Sequence, residues 1–458
     1  MVIKNKFNAI LKCAKDNWVV TIIILTCLAF IANFIFFFPG YMSNDSILMY
    51  YVARGDVPSD LAPVMLGLIW RVLYQITGQM SSLLFFQLAM LWSSLCLFAT
   101  YVFKKSKSRK YSLMVLAIGI LPFVFNISGV IWRDCQMVFA LMLATSLILW
   151  FKEIKHIWSR IALFILIILL IMYAAVSRYN AIIAVAPMVF LAVRNSGFIK
   201  KTYIQVILAV LSIPLVFLVL LPLINSLMGA TKSNNQPGLL LDDIIRVSDR
   251  DVLNNLEIPT DLRVSLIKIQ DCSFATDRLV DNIGFCADNE IRLDLYENSS
   301  EFQRIWLKII TSNPFGYIKY KAKMYLNVLF PVKSYIYVWQ DGIVANKYNV
   351  TVQFDSLRTI GFAYTNFFSR YLRMAYEPWF WLVSGLALLY VSIKKRGIHT
   401  LLINVLCVSG VLYILGYIPT GIAPDYRYIY WPVLAIIIAF VLFKIDRRSR
   451  LKNKKAVN

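Results

Sequence analysis

The chain has 458 residues, 59% hydrophobic and 16% charged, with a mean hydropathy of +0.66. That balance excludes a string of soluble domains and points to an integral membrane protein, with several charge-free runs near the ~20 residues that cross a bilayer. The net charge of +22 does not call for nucleic acid, because it sits in short segments between apolar runs. Those segments lie within 4–15, 104–110, 152–160, 194–201, 394–396 and 444–455. With Asp16 they hold 25 basic and three acidic residues, whereas the rest of the chain carries 22 of each sign. This is the positive-inside bias, and it assigns the basic segments to the cytoplasm.

Residues 1–16 read as a basic cytoplasmic tail. A first membrane helix is expected over 17–38, ended by Pro39-Gly40. The first outer segment, 39–80, places Asp45 on a short polar loop. Within it Leu61–Ile76, interrupted by Arg71, reads as a helix lying at the outer interface. Further helices are expected over 81–103, 111–128, 136–151, 161–177, 181–193 and 202–224, which completes an N-terminal membrane module, 1–224.

Residues 225–376 read as a large outer loop region. To residue 300 it is polar and rich in Asp and Asn. Beyond that, Trp306, Ile309, Tyr317 and Met324 alternate with Lys308, Lys319, Lys321 and Lys323, a pattern suited to interfacial helices at a membrane surface. The C-terminal module, 377–458, has helices expected over 378–393, 400–418 and 428–443, a short outer turn at 419–427 and a basic tail. The fold expected is all-α and polytopic, with about ten transmembrane helices and both termini cytoplasmic. The first apolar run is too long for a cleaved signal peptide.

Cys272 and Cys286 both fall in the outer region, where a disulfide is compatible with an oxidising compartment. Cys13, Cys27, Cys96, Cys135 and Cys407 read as small apolar fillers. Only two histidines occur, His156 and His399, both in segments placed inside. Outer-face chemistry is therefore expected to use no histidine base and no histidine-ligated metal. The expected spans contain no Asp, Glu, Lys or Arg, which argues against an ion-coupled transporter. There is no P-loop or GxGxxG, and Asp249-Arg250-Asp251 is a chance match to a metal-binding DxD. No metal ligands are assigned, and dependence on a divalent metal is left open.

The charged groups at the outer ends of the helices fall in four places. These are Asp45, Trp132-Arg133-Asp134, Arg178-Tyr179-Asn180, and Asp425-Tyr426-Arg427-Tyr428. Arginine offers a planar, permanently charged partner for a lipid-linked phosphate, and a carboxylate can take a proton from a hydroxyl. On this reading Asp45 is the base, and Arg178, Arg427 and Arg133 hold a phosphate. Asp134, Asn180, Asp425 and Tyr426 support them. The plainer alternatives are headgroup anchors for Arg178 and Arg427, a local pair between Arg133 and Asp134, and an aromatic-belt role for Trp132.

These features together resemble the membrane glycosyltransferases of the GT-C fold that use polyprenyl-phosphate sugars, above all bacterial serotype-converting O-antigen glucosyltransferases. The resemblance rests on an acid after the first helix, an outer interfacial helix, the Trp132–Asp134 turn, Arg178-Tyr179-Asn180 and Arg427-Tyr428. It implies an enzyme of the bacterial inner membrane whose site faces the periplasm. The donor would be an undecaprenyl-phosphate hexose, read as glucose from the resemblance alone, and the acceptor a lipopolysaccharide or other surface glycan. The chain departs from the pattern at Asn44-Asp45-Ser46, where Asp45 lacks an acidic neighbour. A lipid-linked glycan flippase or exporter and an O-antigen polymerase are the alternative readings.

Overall fold

The computed structural model of the chain describes residues 17–60, 62–233, 236–277, 279–331, 336–418 and 425–457. The expected tail 1–16, Leu61, and positions 419–424 of the last turn lie outside the described residues. Those described are all-helical, with isolated backbone bridges but no strands.

The first half of the chain forms α1 (Trp18–Phe37), α2 (Asn44–Ala53), α3 (Met65–Thr77), α4 (Ser82–Ser106), α5 (Arg109–Leu116) and α6 (Pro122–Ser128). It continues with α7 (Arg133–Trp150), α8 (Ile157–Ser177), α9 (Ala181–Ser196), α10 (Thr202–Leu215) and α11 (Leu221–Leu227). Among the described residues, six helical segments are long and apolar enough to cross a membrane: 18–37, 82–106, 133–153, 157–177, 202–227 and 426–450. The helix expected over 111–128 is instead broken. Its halves, α5 with a 3-10 turn and then α6, meet at 48°. Pro122 has no N–H to continue the ladder, so it starts a new helix rather than extending the old one. Three other expected spans are helices of only 16 or 17 residues, namely α9 and the later 378–394 and 400–415 helices.

Residues 236–329 were expected as loop with interfacial helices. They form seven helices, α12 (Gln236–Val247), α13 (Arg250–Asn254), α14 (Thr260–Ala275), α15 (Asn282–Phe285), α16 (Asn289–Glu297), α17 (Glu301–Ser312) and α18 (Pro314–Leu329). Leu241, Ile244, Leu262, Leu266, Ile269, Leu295 and Phe302 give this unit a core separate from that of the membrane bundle. Cys272 is disulfide-bonded to Cys286 within it. The chain ends with α19 (Asp355–Tyr371), α20 (Pro378–Lys394), α21 (Thr400–Leu415) and α22 (Tyr430–Val457).

Two ends of the bundle differ in chemistry. At one, Lys104 and Lys105 pair with Glu153, Arg109 covers Trp18 and Arg448 covers Tyr111. There His399 is buried, its Nδ1 2.7 Å from Asp446 Oδ1 and its Nε2 2.9 Å from the Tyr101 hydroxyl. At the other end, short non-helical segments lie side by side. Tyr41 N donates to Gly129 O, Ile131 N to Tyr41 O, Met42 N to Gly342 O, and Tyr426 N to Tyr337 O. Gly40 has φ +119°, and a Cβ there would press on Ile131. The Pro39-Gly40 turn thus does more than end α1, because it lets the chain cross against the 129–132 segment.

Buried amides tie these segments to the helices. Gln87 Nε2 donates to Ser128 O and Val130 O, Gln136 Nε2 donates to Gln87 Oε1, and Tyr173 donates to Gln136 Oε1. Each donation satisfies a polar group removed from water, so the weave is fixed to α4, α7 and α8 rather than merely lying on them.

Candidate functional site

Asp45 sits in the first turn of α2, not on a loop as expected. Ser43 precedes that helix, and its hydroxyl accepts a hydrogen bond from Trp132 Nε1 at 2.8 Å. A carboxylate in the first turn is favoured by the helix dipole. The Tyr41–Gly129 and Ile131–Tyr41 hydrogen bonds bring this turn beside the start of α7, where Arg133 and Asp134 are the first two residues. Arg178 ends α8 in extended backbone. Arg427 lies in the 3-10 turn Tyr426–Ile429, whose first N–H groups are capped by Asp425: its carboxylate accepts from Arg427 N at 3.0 Å.

Asp45, Arg133, Asp134, Arg178 and Arg427 line one crevice, together with Ser46, Leu66, Ile131 and Trp132. The residues come from segments up to 382 positions apart, so only the fold assembles them. Arg427 is its hub. Its Nη1 donates to Asp45 Oδ2 at 2.9 Å, its Nη2 to the Tyr428 hydroxyl at 3.2 Å, and its Nε lies 2.8 Å from Asp425 Oδ2. That last contact is an ion pair by distance, although the N–H is not directed at the oxygen. Trp132 and Tyr428 cover the guanidinium, with ring centroids 4.9 and 5.0 Å away.

Arg133 and Asp134 do not pair with each other. Asp134 Oδ1 lies 3.0 Å from Arg178 Nε, with the carboxylate 1% exposed. Neither of its oxygens accepts a well-directed hydrogen bond among the described residues, so charge rather than hydrogen-bond geometry holds the pair. Arg178 also packs over Tyr428, 4.9 Å from the ring. Tyr428 therefore stands between the two paired arginines. Arg133 makes no hydrogen bond or ion pair among the described residues, yet faces the same crevice.

The three carboxylates differ in access. Asp45 is 46% exposed, Asp425 12% and Asp134 1%. Burial pushes the Asp45 carboxyl up, but the guanidinium of Arg427, then Arg133 and Arg178, outweigh it and hold it below the usual carboxylate range. For Asp425, burial wins over Arg427, and its carboxyl is pushed up to about 6. The cluster thus holds one exposed acid whose carboxyl is held low and one buried acid whose carboxyl is pushed up.

Three expectations need correction. Tyr426 does not face the site; it is buried, donates to Phe123 O and packs against Tyr376 and Tyr430. The 3-10 turn sends it into the core and leaves Tyr428 for the arginines. Asn180 precedes α9 without lining the crevice. Trp132 is no belt residue, since it is 2% exposed under Arg427. The Arg-Tyr pair at 427–428 was visible in the sequence; nothing there marked Tyr428 as the contact shared by both arginines.

Arg71, expected at the interface, is taken up by the Val52 and Asp56 carbonyls. Among the described residues no three His, Cys, Asp or Glu side chains gather as a metal site would require. Comparison with protein-family models, with curated proteins and with solved structures gives no match.

Proposed function

We propose that this chain is a membrane glycosyltransferase that moves a hexose from a polyprenyl-phosphate donor to a glycan hydroxyl. The reading places it in a bacterial inner membrane with ten spans, both termini in the cytoplasm and the Asp45 crevice facing the periplasm. The observation that carries it is the convergence of Asp45, Arg133 and Arg427 in one crevice at the end of the bundle opposite the basic segments. An acceptor hydroxyl would pass its proton to Asp45 as its oxygen bonds to the sugar C1. The bond from C1 to the phosphate oxygen breaks, and its electron pair leaves on the phosphate. Arg133 and Arg427 hold that growing charge. Arg178, held by Asp134 and Tyr428, positions the wall of the site rather than meeting the phosphate directly.

The test is on the glycan. The chain is expressed in a bacterium of defined lipopolysaccharide, and the repeat unit is weighed by mass spectrometry. One added hexose per repeat is expected, lost in Asp45→Asn at normal protein level. An unchanged repeat with altered chain length would identify a polymerase instead. Lipid-linked sugar accumulating on the inner face after deletion would identify a flippase.

A further inference from the structure

A pocket that the proposed mechanism leaves unused lies behind the site. Val328, Ile336, Ile414 and Ile429 give it an aliphatic lining, and Tyr428 forms part of its wall. Among the described residues that line it, Asp425 is the one that carries a charge. The pocket shares the 425–429 stretch with the charged crevice. A 3-10 turn has three residues per turn, so neighbours leave it on different sides. Arg427 lines the crevice, whereas Tyr428 and Ile429 line the pocket. An apolar cavity one residue away from a cluster of arginines suits an amphiphile, an anionic group joined to a hydrocarbon.

We infer that this pocket takes the hydrocarbon next to the donor's phosphate, and that filling it brings a proton onto Asp425, which leaves the crevice one positive charge for a singly charged phosphodiester. This deepens the glycosyltransferase reading and rests on it for the donor. The coupling of chain, proton and anion is a binding property and can be measured without any transfer.

The charge count is the first reason. Arg178 is paired with Asp134 and Arg427 with Asp45, whereas Arg133 has no ion-pair partner among the described residues. Asp425, beside Arg427, is the third acid, and it makes the set neutral when ionised. Its protonation leaves one arginine uncompensated, and a phosphodiester with one charge matches that. Transfer keeps the balance, because the proton that Asp45 accepts equals the charge the phosphate gains as the bond from C1 breaks.

The position of Asp425 is the second. Its Oδ1 accepts from Arg427 N, but the Arg427 Nε–H, 2.8 Å from Oδ2, is not directed at that atom. Oδ2 is therefore the oxygen placed to take a proton. Burial already holds this carboxyl at about 6, so a modest further loss of water carries it through neutrality. Hydrocarbon in the pocket removes such water, and that favours the uncharged form. The groups that face Asp425 are Arg427 on its own turn, Asp134 on α7 and Arg178 at the end of α8. Tyr376 and Tyr417 line the same pocket, and the Tyr337 backbone bridges to Asp425. The two arginines oppose protonation; Asp134 and the hydrocarbon favour it.

Two probes separate the parts. Citronellol, a neutral isoprenoid alcohol, supplies the chain without charge. Dimethyl phosphate supplies a singly charged phosphodiester without the chain, and neither titrates near neutral pH. Full-length protein in lipid nanodiscs is studied by calorimetry, with empty nanodiscs subtracted. Two buffers of different ionisation enthalpy count the protons taken up. At pH 7 each citronellol bound is expected to bring about half a proton to wild type and none to Asp425→Asn. With citronellol saturating, dimethyl phosphate is expected to bind about threefold tighter to wild type. Asp425→Asn should bind it at the tighter level with or without the alcohol. Ile336→Trp fills the pocket and is expected to lose both effects; Val328→Trp repeats the measurement if that variant yields little folded protein.

Citronellol that does not bind, or binds without proton uptake, overturns the inference. Uptake that persists in Asp425→Asn overturns it too, because the proton then goes elsewhere. Hexose transfer by wild type without the coupling keeps the transferase reading and loses the inference. Coupling in a protein that transfers no hexose keeps the inference as a property of a lipid-phosphate site and removes the transferase reading.

Discussion

Replacing Asp425 by asparagine is expected to stabilise the protein near neutral pH, although it removes a partner of Arg427. Burial pushes the Asp425 carboxyl from an ordinary 3.8 up to about 6, and the Arg427 guanidinium offsets only part of that rise. The gap is roughly two pKa units, or about 3 kcal/mol at about 1.4 kcal/mol per unit. The sign follows from proton counting. Between 3.8 and about 6 the unfolded chain has released this proton and the folded chain retains it. The contribution of Asp425 to stability therefore falls as pH rises through that window and is level above it. Asparagine keeps the shape of the protonated acid and carries no charge, so it should escape the fall. Asp45 has the opposite shift and contributes in full above its unfolded value, so it does not vary in the same window. The assay is thermal unfolding of purified protein at pH 5 and pH 7, compared between wild type and Asp425→Asn. Midpoints are compared. Wild type is expected to lose about 1 kcal/mol more than the variant between pH 5 and pH 7. A variant that melts below wild type at pH 7, or that keeps the same pH dependence, would refute the reasoning.

His399→Ala removes the partner of Asp446, which is 3% exposed. The expected cost is about 2–4 kcal/mol, seen as a lower melting midpoint, with transfer per folded molecule retained. Gly129→Ala would drive a Cβ into the Phe37 side chain and force apart the segments that carry Asp45 and Arg133. Little monodisperse protein is expected on size exclusion. Phe315 on α18 is 85% exposed, beside Ile318, Lys319, Lys323 and Leu326 on the same helix face. A photo-crosslinking phenylalanine analogue at 315 is expected to capture lipid in membranes; absence of a lipid adduct would exclude membrane contact by that face.

The long apolar runs were legible because a bilayer selects for hydropathy itself, and the ten expected spans fall mostly on helical residues. Which of them are long enough to cross was less legible. α9, α20 and α21 stop at 16 or 17 residues, and Pro122 breaks another. α2 was missed because Ser43-Asn44-Asp45-Ser46 reads as turn chemistry. The same residues open a helix when serine precedes it and an acid occupies its first turn. The helices of 236–297 were missed for a related reason: they run from 4 to 16 residues, and the shorter ones fall below a periodicity window. The four charged segments of the site stood out because each interrupts or borders an apolar run. Their pairing did not, because Asp134 finds Arg178 and Asp45 finds Arg427 only through remote backbone contacts such as Tyr41–Gly129 and Tyr337–Tyr426.

The charge balance of the cluster leads to a last prediction. Three arginines, Arg133, Arg178 and Arg427, face three acids, Asp45, Asp134 and Asp425. With every acid ionised the set is neutral. Below about pH 6 Asp425 takes its proton, and one positive charge is left uncompensated. Anion affinity should therefore rise as pH falls from 7 to 5. Phosphate is the wrong probe for this, since it changes charge in the same range, whereas sulfate does not. Sulfate is expected to bind several-fold tighter to wild type at pH 5 than at pH 7, a difference of about 1 kcal/mol, as one added charge at close range would give. Asp425→Asn should bind at both pH values as wild type does at pH 5, because the variant holds the uncompensated charge permanently. If sulfate affinity in wild type is flat over this range while Asp425→Asn binds no tighter at pH 7, Asp425 does not set the charge of the crevice. Its role is then confined to holding Arg427 in place.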